Sequence, residues 1–236
     1  MKKFVLIALS ILFITVTNAQ TKTTAKPAAK PKAAVPTERL VEIKTDQGIM
    51  VVKLYNATPL HRDNFIKLVN EKFYDSLLFH RVIQGFMIQG GDPESKNADS
   101  AAMLGNGEAP GDMVPAEFRP TLYHKKGALA MARTDNPEKA SSNCQFYIVQ
   151  GQKYDDNFLN QVECSVRQGG NIDFYYNDTA RKAYKTMGGT PGLDQNYTVF
   201  GEVIKGIEVI DKIAAAQTDP NNRPLKNVRM KMRLLN

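Results

Sequence analysis

The chain of 236 residues is poor in the side chains that carry metal and nucleophilic chemistry. It has three histidines, His61, His80 and His124, and two cysteines, Cys144 and Cys164. Because the histidines are scattered along the sequence, they do not have the spacing of metal ligands. We expect no metal ion and no cofactor. The two cysteines could form a disulfide if the protein is exported, and two free thiols are the alternative.

The sequence also has no dinucleotide-binding fingerprint. The glycine-rich segment at 105–111 lacks the required spacing, and the residues that follow it do not form a helical pattern. Its glycines are better suited to a loop that turns sharply beside a peptide groove. We therefore do not expect a phosphate-binding loop.

The apolar run near the start of the chain is too short to span a membrane. Residues 4–16 fall short of the roughly 20 that a spanning helix needs. The run follows a basic start and precedes the small residues Thr17 and Ala19, which is the pattern of a secretory signal peptide. We predict a signal peptide at 1–19 with cleavage after Ala19; an uncleaved anchor is the alternative. The mature protein would be exported, periplasmic or extracellular, without stable membrane insertion.

The next segment, residues 20–38, consists mainly of Thr, Ala, Lys and Pro and cannot build a core. We predict a solvated tether there, and a basic arm touching an anionic cell-envelope surface is the alternative. Two lysines in 1–19 and four in 20–38 account for six of the seven net positive charges. From residue 33 onward the net charge is therefore +1. Nucleic-acid binding calls for a basic face, so we expect no nucleic-acid partner.

Residues 39–236 are enough for one domain with a sizeable core. Alternation of apolar and polar residues predicts two antiparallel strands at 41–44 and 49–54. Thr58 and Pro59 form a typical helix start, in which a capping hydroxyl precedes proline at the first helical position. Further strands are predicted at 127–133, 144–149 and 228–234, and a second helix at 206–213.

The most informative stretch is residues 79–92. Strand-type residues on either side of a Gln-Gly turn predict two extended segments, with Arg81 on the first and Phe86 to Gln89 on the second. Arg81 supplies a planar fork of donors, Phe86 and Met87 supply an apolar wall, and Gln89 adds an amide. A nucleophile and a general base are both missing from this set. The pattern favours binding and electrostatic polarisation over covalent chemistry.

This stretch resembles the central signature of the cyclophilin-type peptidyl-prolyl cis/trans isomerases. The resemblance implies a mainly β fold, namely a closed eight-stranded antiparallel barrel capped by two α-helices. It implies that Arg81 is catalytic and donates to the proline nitrogen of a twisted X–Pro amide. The substrate-binding residues that it implies are Phe86, Met87, Gln89, Ala132, Arg133, Gln145, Tyr147, Leu193 and Tyr197. The main chain of Ala132 and Arg133 would pair with the peptide, and proline-containing polypeptides would be the partners.

The chain departs from the family pattern in two places. Residues 152–191 form a long insertion with some helical spacing. We expect it to be partly helical and to act as a lid or a packing element; docking of a partner or restriction of the substrate is the alternative. Gly192 precedes Leu193 where the pattern often has a large ring. We also expect His80 to be a hydrogen-bonded structural histidine. The functional hypothesis is an active isomerase for exported polypeptides, and the alternative is a peptide- or partner-binding module with weak or no turnover.

Overall fold

The computed structural model describes residues 37–235. The predicted signal peptide and almost all of the predicted tether lie outside this range. The strands are β1 (Arg39–Thr45), β2 (Gly48–Leu54), β3 (Arg81–Ile83), β4 (Met87–Gly90), β5 (Ala128–Met131), β6 (Phe146–Val149), β7 (Val199–Lys205) and β8 (Met230–Leu235). The α-helices are α1 (Pro59–Asn70), α2 (Asp156–Gln168), α3 (Asp178–Thr186) and α4 (Ile207–Ala214). Within residues 37–235, no helix combines the length and the apolarity that a membrane crossing requires.

All eight strands belong to one antiparallel sheet with the order β3-β4-β6-β5-β7-β2-β1-β8. The two edge strands, β3 and β8, are not hydrogen-bonded neighbours in this order, so the eight antiparallel strands form a half-barrel and the expectation of a fully closed barrel went too far. The main-chain N–H of Val82 in β3 donates instead to the carbonyl of Asn222 at 2.8 Å, because a loop covers that edge. The segment just before β3 nonetheless contacts the β8 end of the sheet through a bridge between Leu78 and Arg229. Main-chain hydrogen bonds flank this bridge, from the Phe79 N–H to the Val228 carbonyl and from the Met230 N–H to the Leu77 carbonyl, both at 2.9 Å.

The two predicted helices outside the insertion are present as α1 and α4. The predicted cap of α1 was wrong, since the Thr58 hydroxyl makes no capping hydrogen bond to the helix. The carboxylate of Glu117 takes this role and accepts from the N–H groups of Leu60 at 3.3 Å and His61 at 3.0 Å. Glu117 lies more than fifty residues away in the sequence, so no local pattern could have indicated this cap.

Both faces of β6 are buried, and they face different clusters. Phe146 and Ile148 join the large core beneath the sheet, where the Phe146 ring meets Phe65 edge-on at 5.6 Å. Tyr147 and Val149 belong to a second cluster on the opposite face. The predicted period-two division of this strand is confirmed. The second cluster is the one that borders the candidate site.

The insertion is partly helical, as expected, and has a small core of its own. Helix α2 begins with Asp155 accepting from the Phe158 N–H, and α3 begins with Asn177 accepting from the Ala180 N–H. The buried residues between the two helices are Leu159, Val162, Phe174, Tyr176, Ala180 and Tyr184. The insertion therefore contributes an apolar cluster that is separate from the core beneath the sheet.

The two cysteines are free thiols in this structure, so the disulfide alternative does not hold. Cys144 is buried and Cys164 is exposed on α2. Burial raises the pKa of the Cys144 thiol to about 12. Since the thiolate is the reactive form, Cys144 is chemically quiet at neutral pH.

Candidate active site

The register of three neighbouring strands brings the main polar residues of the site into one row. Arg81 on β3 lies directly opposite Gln89 on β4, and Gln89 lies opposite Tyr147 on β6. Residues directly opposite each other in antiparallel strands project from the same face of the sheet. The arginine, the amide and the aromatic ring are therefore adjacent because of strand pairing alone.

A cavity of about 210 Å³ opens over this row. Nine of the ten predicted site residues line it: Arg81, Phe86, Met87, Gln89, Ala132, Arg133, Tyr147, Leu193 and Tyr197. Met87 and Tyr147 are buried, whereas the Arg81 side chain is half-exposed. The cavity thus has an apolar floor and a charged rim, and we call it the proline pocket.

The tenth predicted residue, Gln145, lies behind the pocket wall rather than in it. Arg81 Nη1 donates to Gln89 Oε1 at 3.1 Å, and Gln89 Nε2 donates to Gln145 Oε1 at 3.2 Å. Gln145 Nε2 then donates to the carbonyls of Gly105 and Gly107 at 3.0 and 2.8 Å. We call the chain Arg81–Gln89–Gln145 the arginine side. Each amide has its orientation fixed by the next group, so the guanidinium is held at the rim.

The main chain at 132–133 is only partly available to a peptide. The Ala132 N–H donates to the Gln145 carbonyl, and the Ser142 N–H donates to the Ala132 carbonyl, both at 2.8 Å. Arg133 comes next along the chain, and its guanidinium lies 5.0 Å from the centre of the Tyr197 ring. Arg133 Nε also donates to the Asn196 carbonyl at 2.9 Å. The Arg133 side chain is therefore tied to the pocket wall, and the Ala132 main chain is already paired.

His80 is buried as expected, but its predicted hydrogen bonds are wrong. Only 3 % of the residue is exposed, and within residues 37–235 neither ring nitrogen has a hydrogen-bond partner. Burial lowers the pKa of His80 to about 4. The imidazole is thus neutral at physiological pH and is not a source of charge next to Arg81.

With the site defined, the chain can be compared with known proteins. The family model described as Cyclophilin type peptidyl-prolyl cis-trans isomerase/CLD matches residues 40–233. The chain belongs to this family. One curated relative, a protein of Staphylococcus aureus (strain USA300), is provisionally named a peptidyl-prolyl cis-trans isomerase. It is 35% identical over 189 residues, and the alignment covers 80% of this chain and 87% of the relative. A protein of the same name from Staphylococcus haemolyticus is 33% identical, covering 80% and 86%.

Solved cyclophilin structures support the same fold. A cyclophilin type peptidyl-prolyl cis-trans isomerase of Cryptosporidium parvum aligns with a TM-score of 0.60 at 23% identity, covering 84% of this chain and 98% of its own. The same protein in the presence of the dipeptide Ala-Pro aligns with a TM-score of 0.59 at 24% identity, covering 84% and 99%. The eight-stranded antiparallel sheet is thus the cyclophilin fold.

Sequence reasoning missed two buried residues behind the other wall of this cyclophilin pocket. The Tyr147 hydroxyl and His124 Nε2 are 2.9 Å apart, and His124 Nδ1 lies 2.6 Å from Asp194 Oδ1. Asp194 also accepts hydrogen bonds from the hydroxyls of Tyr176 and Tyr184 in the insertion. We call this set the tyrosine side. The signal in the sequence was the hydroxyl at 147, because a buried tyrosine hydroxyl needs a partner.

Gly192 does not line the proline pocket, although it precedes Leu193. It is exposed and borders a separate groove along α2, together with Val162 and Asn196. A Cβ atom at this position would meet no heavy atom within 4 Å. In this cyclophilin the place of the large ring is therefore open, and α2 lies across the groove.

Proposed function

We propose that this peptidyl-prolyl isomerase rotates X–Pro bonds of exported polypeptides by a non-covalent mechanism in which Arg81 polarises the proline nitrogen. The observation that carries the proposal is the position of Arg81, held by Gln89 at the rim of an apolar pocket of about 210 Å³. The pocket provides a floor for a pyrrolidine ring, and the Arg81 guanidinium supplies a strong donor beside it. No covalent step is needed for this reaction.

The reaction requires only that the enzyme stabilise the twisted amide more than the planar amide. Resonance between nitrogen and carbonyl sets a rotation barrier of roughly 18–20 kcal/mol. In the twisted state the lone pair is localised on nitrogen and becomes a good acceptor. A guanidinium that donates to this nitrogen stabilises the transition state more than the ground state, which is what raises the rate. One Arg81 N–H is used by Gln89, so the remaining donors of the fork serve this purpose.

Two further groups would orient the peptide. Gln89 Nε2 carries two N–H groups, and one donates to Gln145. The second can donate to a substrate carbonyl. Because the Ala132 N–H and carbonyl already have main-chain partners, the proposal assigns pairing with the substrate backbone to the main chain of Arg133.

The mechanism is tested by cis-to-trans exchange of a short X–Pro peptide, measured by magnetisation-transfer NMR. The chain lacking residues 1–19 should accelerate exchange by several decades. Arg81→Ala should lose about 10²–10³-fold, because it removes the guanidinium that is proposed to donate to the reacting nitrogen. Arg39→Ala is a matched control, since Arg39 is exposed on β1. Equal rates for wild type and Arg81→Ala would contradict the proposed role of Arg81.

A second candidate function is a peptide- or partner-binding module that docks on the insertion. The observation that favours it is a groove of about 330 Å³ between α2 and the loop after Gly192. It is lined by apolar groups such as Val162 and Val166 and by amides such as Gln195 and Asn196, which suit an extended peptide. If the wild type matches buffer in the exchange assay while a peptide shifts resonances of groove residues, the binding module is the better description.

Export is the remaining part of the proposal, and it is supported by the pattern of residues 1–19. Mass spectrometry of the protein from fractionated cells should give an N-terminus at Gln20. Removal of residues 4–16 should keep the protein in the cytoplasm with its remaining N-terminus intact. An exported wild-type protein that still begins at Met1 would favour an uncleaved anchor.

A further inference from the structure

The carboxylate of Asp194 is buried behind the proline pocket and accepts four hydrogen bonds. It is 2 % exposed. Its Oδ1 accepts from the His124 main-chain N–H at 2.9 Å and from the His124 ring at 2.6 Å. Its Oδ2 accepts from the hydroxyl of Tyr176 at 2.6 Å and from that of Tyr184. Four donors fill the lone-pair sites of one carboxylate.

The donors come from opposite sides of Asp194. Tyr184 lies on α3 and Tyr176 lies just before it, so both belong to the insertion. His124 leads the other way, to the hydroxyl of Tyr147 in the wall of the proline pocket. A continuous set of buried hydrogen bonds thus connects the insertion to the surface on which the substrate ring is expected to lie.

The link to Asp194 has a defined direction. A carboxylate only accepts, so His124 Nδ1 donates to Asp194 Oδ1 at 2.6 Å. This leaves the other ring nitrogen, Nε2, for the Tyr147 hydroxyl at 2.9 Å. The Tyr147 ring also stacks on His124 with an interplanar angle of 12° and meets Tyr197 edge-on at 81°. The tip of the Tyr147 side chain is therefore fixed by a group whose own orientation depends on the insertion.

We propose that Tyr176 and Tyr184 are positioning residues for the proline pocket, acting through Asp194 and His124 on the orientation of Tyr147. The inference rests on the proposed function, since it takes the pocket as the site of the proline ring. The insertion then influences the affinity of the pocket for peptide through buried hydrogen bonds to the pocket wall, and not as a lid that covers the pocket.

A packing role alone would not need the two hydroxyls. The insertion core already contains Leu159 and Phe174, and phenylalanine at 176 and 184 would fill the same volume. Both hydroxyls are directed at Asp194, although it belongs to the loop beside the pocket and not to the insertion. Burial raises the pKa of Tyr184 well above its ordinary value, so the phenol stays protonated and remains a donor.

The test compares Tyr184→Phe in two backgrounds, the wild-type chain and Tyr147→Phe, in which the connection to the pocket is cut. We measure peptide affinity by titration of an X–Pro peptide and exchange rate at saturating peptide. In the wild-type background, Tyr184→Phe should weaken affinity about fivefold, the order of effect of one lost hydrogen bond, with the saturated rate changed less than twofold. In the Tyr147→Phe background it should change affinity less than twofold, while the melting temperature falls by the same amount in both.

Two companion variants keep the test decisive. Tyr176→Phe removes the second phenol donor and should behave like Tyr184→Phe, which guards against one variant failing to fold. Tyr175→Phe is the control: this neighbouring tyrosine is 63 % exposed, and its loss should leave affinity and melting temperature unchanged.

Two results would overturn the inference. One is an equal loss of affinity from Tyr184→Phe in both backgrounds. The other is an unchanged affinity in the wild-type background despite a lower melting temperature, which would make the role purely structural. Failure of the proposed function is separately visible, because peptide would then bind with the predicted pattern of affinities while no protein accelerates exchange.

Discussion

Two sets of buried polar groups support the proline pocket, one behind each wall, and they are assembled differently. The arginine side runs across β3, β4 and the start of β6, so neighbouring strands hold Arg81 and Gln89 in place. The tyrosine side joins His124, Asp194 and Tyr184, which come from a loop before β5, the loop after the insertion, and α3. Strand pairing places the residues of the arginine side, whereas the tyrosine side is complete only when the insertion packs against the loop that carries Asp194.

The two sides also differ in what depends on them. The arginine side ends in a partly buried guanidinium at the pocket rim, which in the proposed mechanism donates to the substrate. The tyrosine side surrounds a carboxylate that is 2 % exposed. A buried acceptor with four donors is a stability element first. We therefore expect damage to the arginine side to appear mainly in activity and damage to the tyrosine side mainly in stability.

The largest effect should come from removing the centre of the tyrosine side. Asp194→Ala leaves the His124 N–H groups and two phenols without their acceptor. Each buried donor left unsatisfied costs about 1–3 kcal/mol of unfolding free energy, so we expect a loss of several kcal/mol. Denaturant unfolding measures this. Asp135→Ala is the control, because Asp135 is fully exposed. A loss below about 1 kcal/mol would mean that the cluster is not the support described above.

Breaking the arginine side should have a smaller effect on stability and a clear effect on rate. Gln145→Leu removes the acceptor of the Gln89 amide and the donor to two loop carbonyls. We expect kcat/KM to fall about tenfold as Gln89 and Arg81 lose their fixed orientation, with a stability loss of about 1–3 kcal/mol from the unpaired groups. Gln168→Leu, at the exposed end of α2, is the control. If kcat/KM is unchanged, Gln145 does not orient Gln89 for catalysis.

These two sides were not equally predictable from the sequence. Strand patterns around a short turn predicted that Arg81 faces the segment from Phe86 to Gln89, because period-two alternation fixes which side chains share a face. Tyr147 and Gln145 were assigned to the site through the family resemblance, and the actual position of Gln145 depends on a loop carbonyl 40 residues earlier.

The tyrosine side could not be predicted in this way. Its central pair, His124 and Asp194, is 70 residues apart in sequence, and the partners meet only through tertiary packing. The sequence indicated that 152–191 is an insertion with helical spacing, but not which of its tyrosines turn inward. The sequence also did not indicate that β3 pairs with a loop instead of β8, because that loop has no strand or helix pattern.

A third buried group, His80, belongs to neither the arginine side nor the tyrosine side, and its contribution is measured by the pH dependence of stability. Burial lowers the pKa of His80 from 6.5 to about 4, so between these values the unfolded chain binds a proton that the folded chain does not. Stability from this source is complete above pH 6.5 and is lost as the pH falls toward 4. The slope should reach up to about 1.4 kcal/mol per pH unit.

The variant His80→Asn isolates this contribution, because an amide does not titrate. His61 is also buried, and burial lowers its pKa as well, but it contributes to the slope in both proteins. Unfolding free energies measured from pH 4 to pH 7 should therefore show a shallower slope for the variant. Identical slopes would mean that His80 takes up its proton in the folded state without penalty.

The smallest effect is expected at Gly192. A tryptophan there would enter open space, since its Cβ meets no heavy atom within 4 Å, so the unfolding free energy should change by less than about 0.5 kcal/mol. The matched control is Gly189→Ala, whose Cβ would lie 2.2 Å from the His124 carbonyl oxygen and 2.6 Å from the Tyr184 ring. Thermal unfolding should show a much lower melting temperature for Gly189→Ala than for the Gly192 variant, because Gly189 is packed against the tyrosine side and Gly192 faces the open groove. A stability loss at Gly192 as large as that at Gly189 would contradict it.

The cap of α1 has a consequence for the order in which the molecule assembles. The first-turn N–H groups of Leu60 and His61 find their acceptor in Glu117, 57 and 56 residues further along the chain. A helix that nucleates locally would have these groups open to water until the intervening chain has closed its loop, which costs entropy. The carbonyls left over at the far end of α1 find local donors instead, since Lys67 accepts from the Glu71 N–H and Leu68 accepts from the Phe73 N–H, both at 3.0 Å. We therefore expect pulsed hydrogen exchange during refolding to protect α1 from its C-terminal end first, with the turn at Leu60 becoming protected only when the chain around Glu117 arrives.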